Sequence, residues 1–239
     1  MVKEMMKRLI DKVMGRKRVL VTENERAVWL YKGEVRGILG AGEHRLQNRD
    51  GSMTVERQRL EPGLFVSAYE QAVLEKLPQD VADHLVVVRT GENEIAVIER
   101  DGIINTVLGS DAKLILWRDA GPWKASVIDI GVQAQVDAKL LTRLRKAGKT
   151  QLVSLVDVDE GKIALVSIDG QLTDRLGPGV YGYWTAGRKI GAKLIDLTRQ
   201  SLDVTGQEVL TRDRVSLRIN IAAEYRVVDP LKAVSEVKD

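Results

Sequence analysis

The sequence predicts an α+β, β-rich fold built from three tandem small modules, each of antiparallel sheet plus helix. A frame of Ala, five residues, Gly, five residues and Leu-Gly occurs three times without gaps, which is typical of a repeat architecture. Aromatic residues make up only 4% of the 239 residues, so Val, Leu, Ile and Ala must build the cores. This composition favours several small cores over one deep core.

Each copy of the frame has the pattern of a β-hairpin. The copies begin at Ala27, Ala96 and Ala164. The central glycine follows Lys32, Asp101 or Asp169, and Asp-Gly pairs favour two-residue turns between strands. A β-rich segment precedes each turn, and a return strand ends at each Leu-Gly pair. The frame therefore predicts three hairpins at a regular spacing.

The predicted domain boundaries follow from this repeat. We expect a basic amphipathic helix over 1–18, a first module over 19–90, a second over 91–157 and a third over 158–239. Helical stretches are expected over 69–84 and 137–146, each followed by a strand. A further helix should begin after Asp229-Pro230, and we expect the third module to be incomplete at its C-terminus.

Residues 1–18 carry most of the excess positive charge. They hold seven bases and two acids, which gives +5, whereas the whole chain has a net charge of +3. The candidate membrane or partner contacts are the apolar stripe of Met5, Met6, Leu9, Ile10 and Val13 and the bases beside it, Lys7, Arg8 and Lys12. The pattern indicates either a helix docked on its own or a neighbouring subunit, or an interfacial membrane anchor. Nucleic-acid binding is not expected, because the rest of the chain is slightly acidic.

Composition and motifs give no support for an enzyme. The chain has no cysteine, which excludes disulfides and thiolate metal sites, and its only histidines are His44 and His84. The stretch 177–182 matches G-x-G-x-x-G, but no helix start follows it, as a dinucleotide site requires. No apolar run is long enough for a transmembrane helix. We therefore expect no catalytic, cofactor or metal residues, in a cytoplasmic protein that can be peripheral at a membrane.

The longest period-2 pattern in the chain lies near its C-terminal end. Apolar and polar residues alternate over the 13 residues from Val215 to Val227, with Ala222 as the one break in the polar set. This alternation predicts a long strand in an antiparallel sheet with one apolar face. We expect the strand to serve as a platform for a covering helix and for neighbouring subunits.

Residues 159–239 resemble the SPFH (band 7) family, which includes stomatin, prohibitin, flotillin and the bacterial slipins, and they look closest to the slipin type. The resemblance rests on the opening DEGKIALVSIDGQLTDRLGPGVYGYW, on Gly206–Thr211, and on the long strand followed by Asp229-Pro230. It implies a ring or cage of many copies. Two repeat modules stand here where family members usually carry a membrane segment. Repeats ahead of an SPFH-like domain also resemble the layout of the major vault protein.

The repeat and the resemblance together predict a structural scaffold rather than an enzyme. The scaffold would self-assemble into a large homo-oligomeric ring or cage through lateral packing of its modules. The alternative is a peripheral membrane-associated adaptor, attached through residues 1–18, that organises membrane microdomains or a partner protease. The resemblance implies that possible protease partner, and no motif in the chain shows a binding site for one.

Overall fold

The computed structural model describes residues 14–236, and strands dominate this part of the chain. The strands are β1 Arg16–Val21, β2 Glu25–Tyr31, β3 Glu34–Leu39, β4 Gly42–Gln47, β5 Met53–Arg59, β6 Leu85–Arg89, β7 Glu94–Arg100, β8 Ile103–Leu108, β9 Lys113–Trp117, β10 Trp123–Asp129, β11 Val153–Val158, β12 Lys162–Ile168, β13 Gln171–Leu176, β14 Gly179–Trp184, β15 Ile190–Asp196, β16 Gln200–Leu210 and β17 Ser216–Tyr225. The helices are α1 Glu70–Lys76, α2 Pro78–His84, α3 Ala138–Lys146 and α4 Pro230–Glu236. The predicted α+β, β-rich class is confirmed.

Strands β1 to β15 form the same five-stranded arrangement three times. In each repeat the first strand pairs with the fourth, and the second lies between the third and the fifth, all antiparallel. We call β1–β5 the first repeat, β6–β10 the second and β11–β15 the third. The predicted modules place β6 at the end of the first module and β11 at the end of the second. In the structure β6 pairs with β9 and β11 pairs with β14, so each of these strands belongs to the following repeat.

The turn of each hairpin has the geometry that its sequence requires. The φ angles are 54° and 77° at Lys32 and Gly33, and both residues of the other two turns are also left-handed. Two successive left-handed residues define the type I′ turn, whose twist matches that of the flanking strands. A β-bulge follows at the same place in each frame, after Trp29, Ile98 and Val166. The three predicted hairpins are confirmed.

A small core lies between the two sheets of each repeat. The frame alanines Ala27, Ala96 and Ala164 are fully buried there, beside Val19, Val88 and Val156 from the first strand of each repeat. An alanine fits because the second strand passes close to the opposing two-stranded sheet, where a larger side chain would not fit a close-packed interior. The Ala position of the frame is therefore a packing requirement.

Helices α1 and α2 cover the outer face of the first three-stranded sheet. Val28, Leu30, Val35 and Ile38 are buried there with Val73 of α1. The Asp80 carboxylate of α2 accepts a 2.7 Å hydrogen bond from the backbone N–H of Ile38. Residues of the second repeat, including Leu85 and Trp117, belong to the same cluster. The ion pair Arg26–Asp119, at 2.6 Å, adds a polar link between the first two repeats.

The chain divides into two compact units, one ending at Val132 and the other starting at Gln133. The second unit contains α3, the third repeat, the β16–β17 hairpin and α4. Helix α3 begins where predicted, because the Asp137 side chain caps it by accepting hydrogen bonds from the N–H groups of Lys139 and Leu140. Its Leu141 packs so closely on Gly182 of β14 that a Cβ atom at that glycine would lie 2.7 Å from the leucine.

Candidate interaction surface

The β16–β17 hairpin is the most exposed regular element of the described chain. All ten residues of β17 are solvent-exposed. Its strands pair from Gln200–Tyr225 to Leu210–Ser216. A bulge interrupts β16, where the N–H of Gly206, at φ 70°, donates to the Asn220 side chain at 2.9 Å. An isolated two-stranded sheet is marginally stable in water, so this element requires a partner surface or firm anchoring.

One face of the hairpin is predominantly apolar. The strand register places on this face Leu202, Val204, Val209, Leu217, Ile219, Ile221, Ala223 and Tyr225, together with Gln200 and Gln207. Val204 is half-buried, and the other large apolar side chains of this face are between 38% exposed, at Ile219, and 54% exposed, at Leu202 and Ile221. Such a contiguous apolar patch on a sheet face is characteristic of interaction sites. We call it the hairpin face.

The opposite face and the turn are mainly polar. Arg218 lies directly across from Glu208 on this face, and Ser201 lies across from Glu224. In the turn, the Thr211 hydroxyl donates to the carbonyl of Val215 at 2.9 Å. Polar groups on this side can stay hydrated, so we expect a partner to cover the hairpin face rather than the polar face. The predicted alternation of the long strand is confirmed, although β17 has 10 residues instead of 13.

The base of the hairpin is anchored on the third repeat. Val227, which follows β17, and Val234 of α4 pack against a small cluster of Ile163, Leu165 and Ile195. Both edges of the two-stranded sheet lack a strand neighbour among the described residues. Unpaired edges offer backbone N–H and C=O groups to another chain. A partner can therefore bind in two ways, by pairing with an edge strand or by covering the hairpin face.

Titratable groups in the described chain show shifts with local structural causes. The Ser52 hydroxyl and N–H hold the pKa of the Asp50 carboxyl far below its usual range. Burial raises the pKa of the Tyr183 phenol, and its 2.8 Å hydrogen bond to Asp174 adds to this. The described residues contain no group of three or more His, Asp or Glu side chains that could hold a metal ion.

The predicted contacts of the N-terminal segment lie outside the described residues. These are Met5, Met6, Leu9, Ile10, Val13, Lys7, Arg8 and Lys12. The basic amphipathic helix predicted over 1–18 stays a prediction, and Arg16–Arg18 at the end of that range begin β1. Gly15, at φ 63°, lies immediately before this strand.

The part of the chain that carries the hairpin is similar to a known protein family. Residues 156–239 match the model of the SPFH domain / Band 7 family. Over these residues the chain is similar to the SPFH (band 7) family. A stomatin homologue of Pyrococcus horikoshii is 39% identical over 82 residues, which cover 34% of this chain and 30% of that relative. Stomatin-3 of Caenorhabditis elegans is 43% identical over 47 residues, covering 20% of this chain and 18% of that relative.

The match is confined to the C-terminal third of the chain. A stomatin homologue of Pyrococcus abyssi is also 39% identical over 82 residues, and the chain again spans only 30% of the relative's length. No solved structure matches the chain. Among the described helices, none has the length and apolarity to cross a membrane. The SPFH segment therefore contains the third repeat from Val156 onwards, the hairpin and α4, while the first two repeats lie outside the match.

Proposed function

We propose that this protein is a non-enzymatic scaffold that self-assembles into a large homo-oligomeric ring or cage. The observation that carries this proposal is the hairpin face, a continuous apolar surface left half-exposed on the SPFH segment. Burying this face against another copy would remove several half-exposed branched side chains from water. Such burial is the main favourable term in protein association.

The repeat architecture supports lateral assembly. In repeat proteins generally, each repeat packs against its neighbours in sequence, which leaves lateral surfaces available for packing against other copies. A contact repeated around a ring needs a surface present on every copy, and the hairpin face meets this condition. The similarity of the SPFH segment to stomatin homologues supports the proposal, since the resemblance to this family implies a ring or cage of many copies.

Sedimentation velocity of the 239-residue chain tests the proposal. The monomer has a mass of 26.6 kDa, so assembly is expected to appear as heavier species that grow with protein concentration. A single 26.6 kDa species at all concentrations up to about 100 μM would contradict it, because interfaces of ordinary affinity are occupied at that concentration.

A second function is favoured by the charge of the N-terminal segment. We propose that residues 1–18, with seven bases and two acids, attach the protein peripherally to an anionic cytoplasmic membrane surface, where it acts as an adaptor. A membrane protease is a possible client of such an adaptor. Flotation with anionic liposomes, with and without residues 1–13, tests the attachment. Equal flotation of the two proteins would eliminate the segment as an anchor.

A further inference from the structure

The two edges of the β16–β17 hairpin differ in how well they can pair with another strand. In β16 a bulge interrupts the strand between Val204 and Gln207, and Gly206 within it has a φ of 70°. Bulges bend a strand and protect an edge against pairing. Strand β17 carries no extra residue over its 10 residues, and every one of them is exposed. The edge of β17 is therefore the one suited to regular pairing.

The order of residues in β17 makes this strand complementary to a second copy of itself. When two identical strands pair antiparallel about a two-fold axis, residues equally far before and after the axis face each other. With the axis at Ile221, Arg218 of each copy faces Glu224 of the other. Opposite charges directly across an antiparallel pair stabilise it. On the other face Leu217 lies opposite Tyr225, so apolar side chains also meet.

The neighbouring registers are less favourable. An axis at Asn220 places Arg218 opposite Ala222 and removes both charge pairs. An axis at Ala222 places Arg218 opposite Arg226, and like charges that face each other are destabilising. An axis between two residues puts the apolar side of one copy beside the polar side of the other. The register about Ile221 satisfies both faces of the strand.

Both charged groups can take part in such a contact. Arg218 lies across from Glu208 in its own hairpin but forms no ion pair within the part of the chain that the structure describes. Glu224 pairs with Arg199 at 3.4 Å, and the Glu224 side chain is 69% exposed. A carboxylate has several acceptor positions and can bind a second arginine. Two Arg–Glu pairs can therefore join two copies without loss of an ion pair within either copy.

We propose that two copies of this protein pair through the edge of β17, antiparallel and in register about Ile221, to form a four-stranded sheet. A two-stranded sheet is marginally stable alone, whereas three or more strands with an apolar face can be stable. The pairing joins the two hairpin faces into one larger face, which stays accessible to further copies. The inference rests on the proposed self-assembly, because it names one contact through which copies meet.

Complementary charge reversal tests this register by sedimentation equilibrium of the complete chain. Arg218→Glu alone and Glu224→Arg alone each place like charges at both contacts of the pair, so each should raise the Kd of the dimer about tenfold or more. An equimolar mixture of the two variants has opposite charges at both contacts of each mixed dimer and should recover most of the lost affinity. Asp203→Lys is the matched control, because it reverses a charge of the polar face in β16, away from the edge of β17, and should have no effect.

The outcomes separate this contact from self-assembly in general. Recovery in the mixture cannot come from changes within one hairpin, because each copy keeps its own substitution. Assembly that neither single variant weakens, or a mixture that does not recover, would overturn the pairing about Ile221 and leave self-assembly through the hairpin face standing. A single 26.6 kDa species of the unmodified chain up to about 100 μM would contradict both proposals. A dimer that does not grow at higher concentration would support the edge pairing and contradict the ring or cage.

Discussion

Replacing two isoleucines of the hairpin face by threonine should weaken self-assembly without unfolding the protein. The double variant Ile219→Thr, Ile221→Thr keeps β-branched residues in β17, so strand propensity is retained. In the free chain the two isoleucines are 38% and 54% exposed, which limits the packing that is lost within the monomer. The substitutions remove apolar surface that a partner would cover.

The size of the effect follows from these exposures. Complete burial of an isoleucine side chain contributes about 1.5–3 kcal/mol. Scaled by the exposed fractions of 38% and 54%, the two side chains together can contribute about 1.4–2.8 kcal/mol when a partner covers them. Since about 1.4 kcal/mol changes an equilibrium constant tenfold, the Kd of each contact should rise roughly 10- to 100-fold.

Sedimentation equilibrium of the variant and the unmodified chain measures this change. Leu210→Thr is the matched control, because Leu210 is 67% exposed but lies on the opposite face of the hairpin, across from Ser216. Thermal unfolding of the monomer should be nearly unchanged in both proteins. An unchanged Kd in the double variant, or equal weakening by Leu210→Thr, would refute assembly through the hairpin face.

Three further predictions concern the repeats, and chemical denaturation measures each as a change in the free energy of unfolding. Gly170→Ala should cost about 1 kcal/mol because φ is 84°, whereas Gly177→Ala, also in open space but without a positive φ, should cost nothing. Asp119→Asn should cost about 1 kcal/mol, since buried Arg26 loses its charged partner while half-exposed Asp119 is partly screened. Tyr183→Phe should cost about 1 kcal/mol through loss of its hydrogen bond to a carboxylate.

The hairpins and the fold class could be predicted because their signals are local. A two-residue turn with Gly at the second position restricts the backbone strongly, and the same turn recurs at Gly33, Gly102 and Gly170. Period-2 alternation likewise revealed the two faces of β17 before any pairing was known. Both features depend on residues close in sequence, so they could be predicted without any tertiary contacts.

The fourth strand of each repeat was missed because its sequence gives little signal. In β4 only Leu46 is buried, and in β14 two glycines and two tyrosines interrupt any regular alternation. These strands exist because each pairs with the first strand of its repeat, 20 or more residues away. Such pairing is a tertiary effect that overrides weak local propensity.

The inner and outer sides of the repeated sheet are under different constraints, and this difference explains where function can arise. Ala27, Ala96 and Ala164 are identical because each faces a close-packed core within its own repeat. The outer position that is Val35 in the first repeat is Leu172 in the third, and its exposure rises from 5% to 55%. An outer residue is limited only by what covers it, so the outer face can differ from repeat to repeat while the turn frame and the inner alanines stay the same.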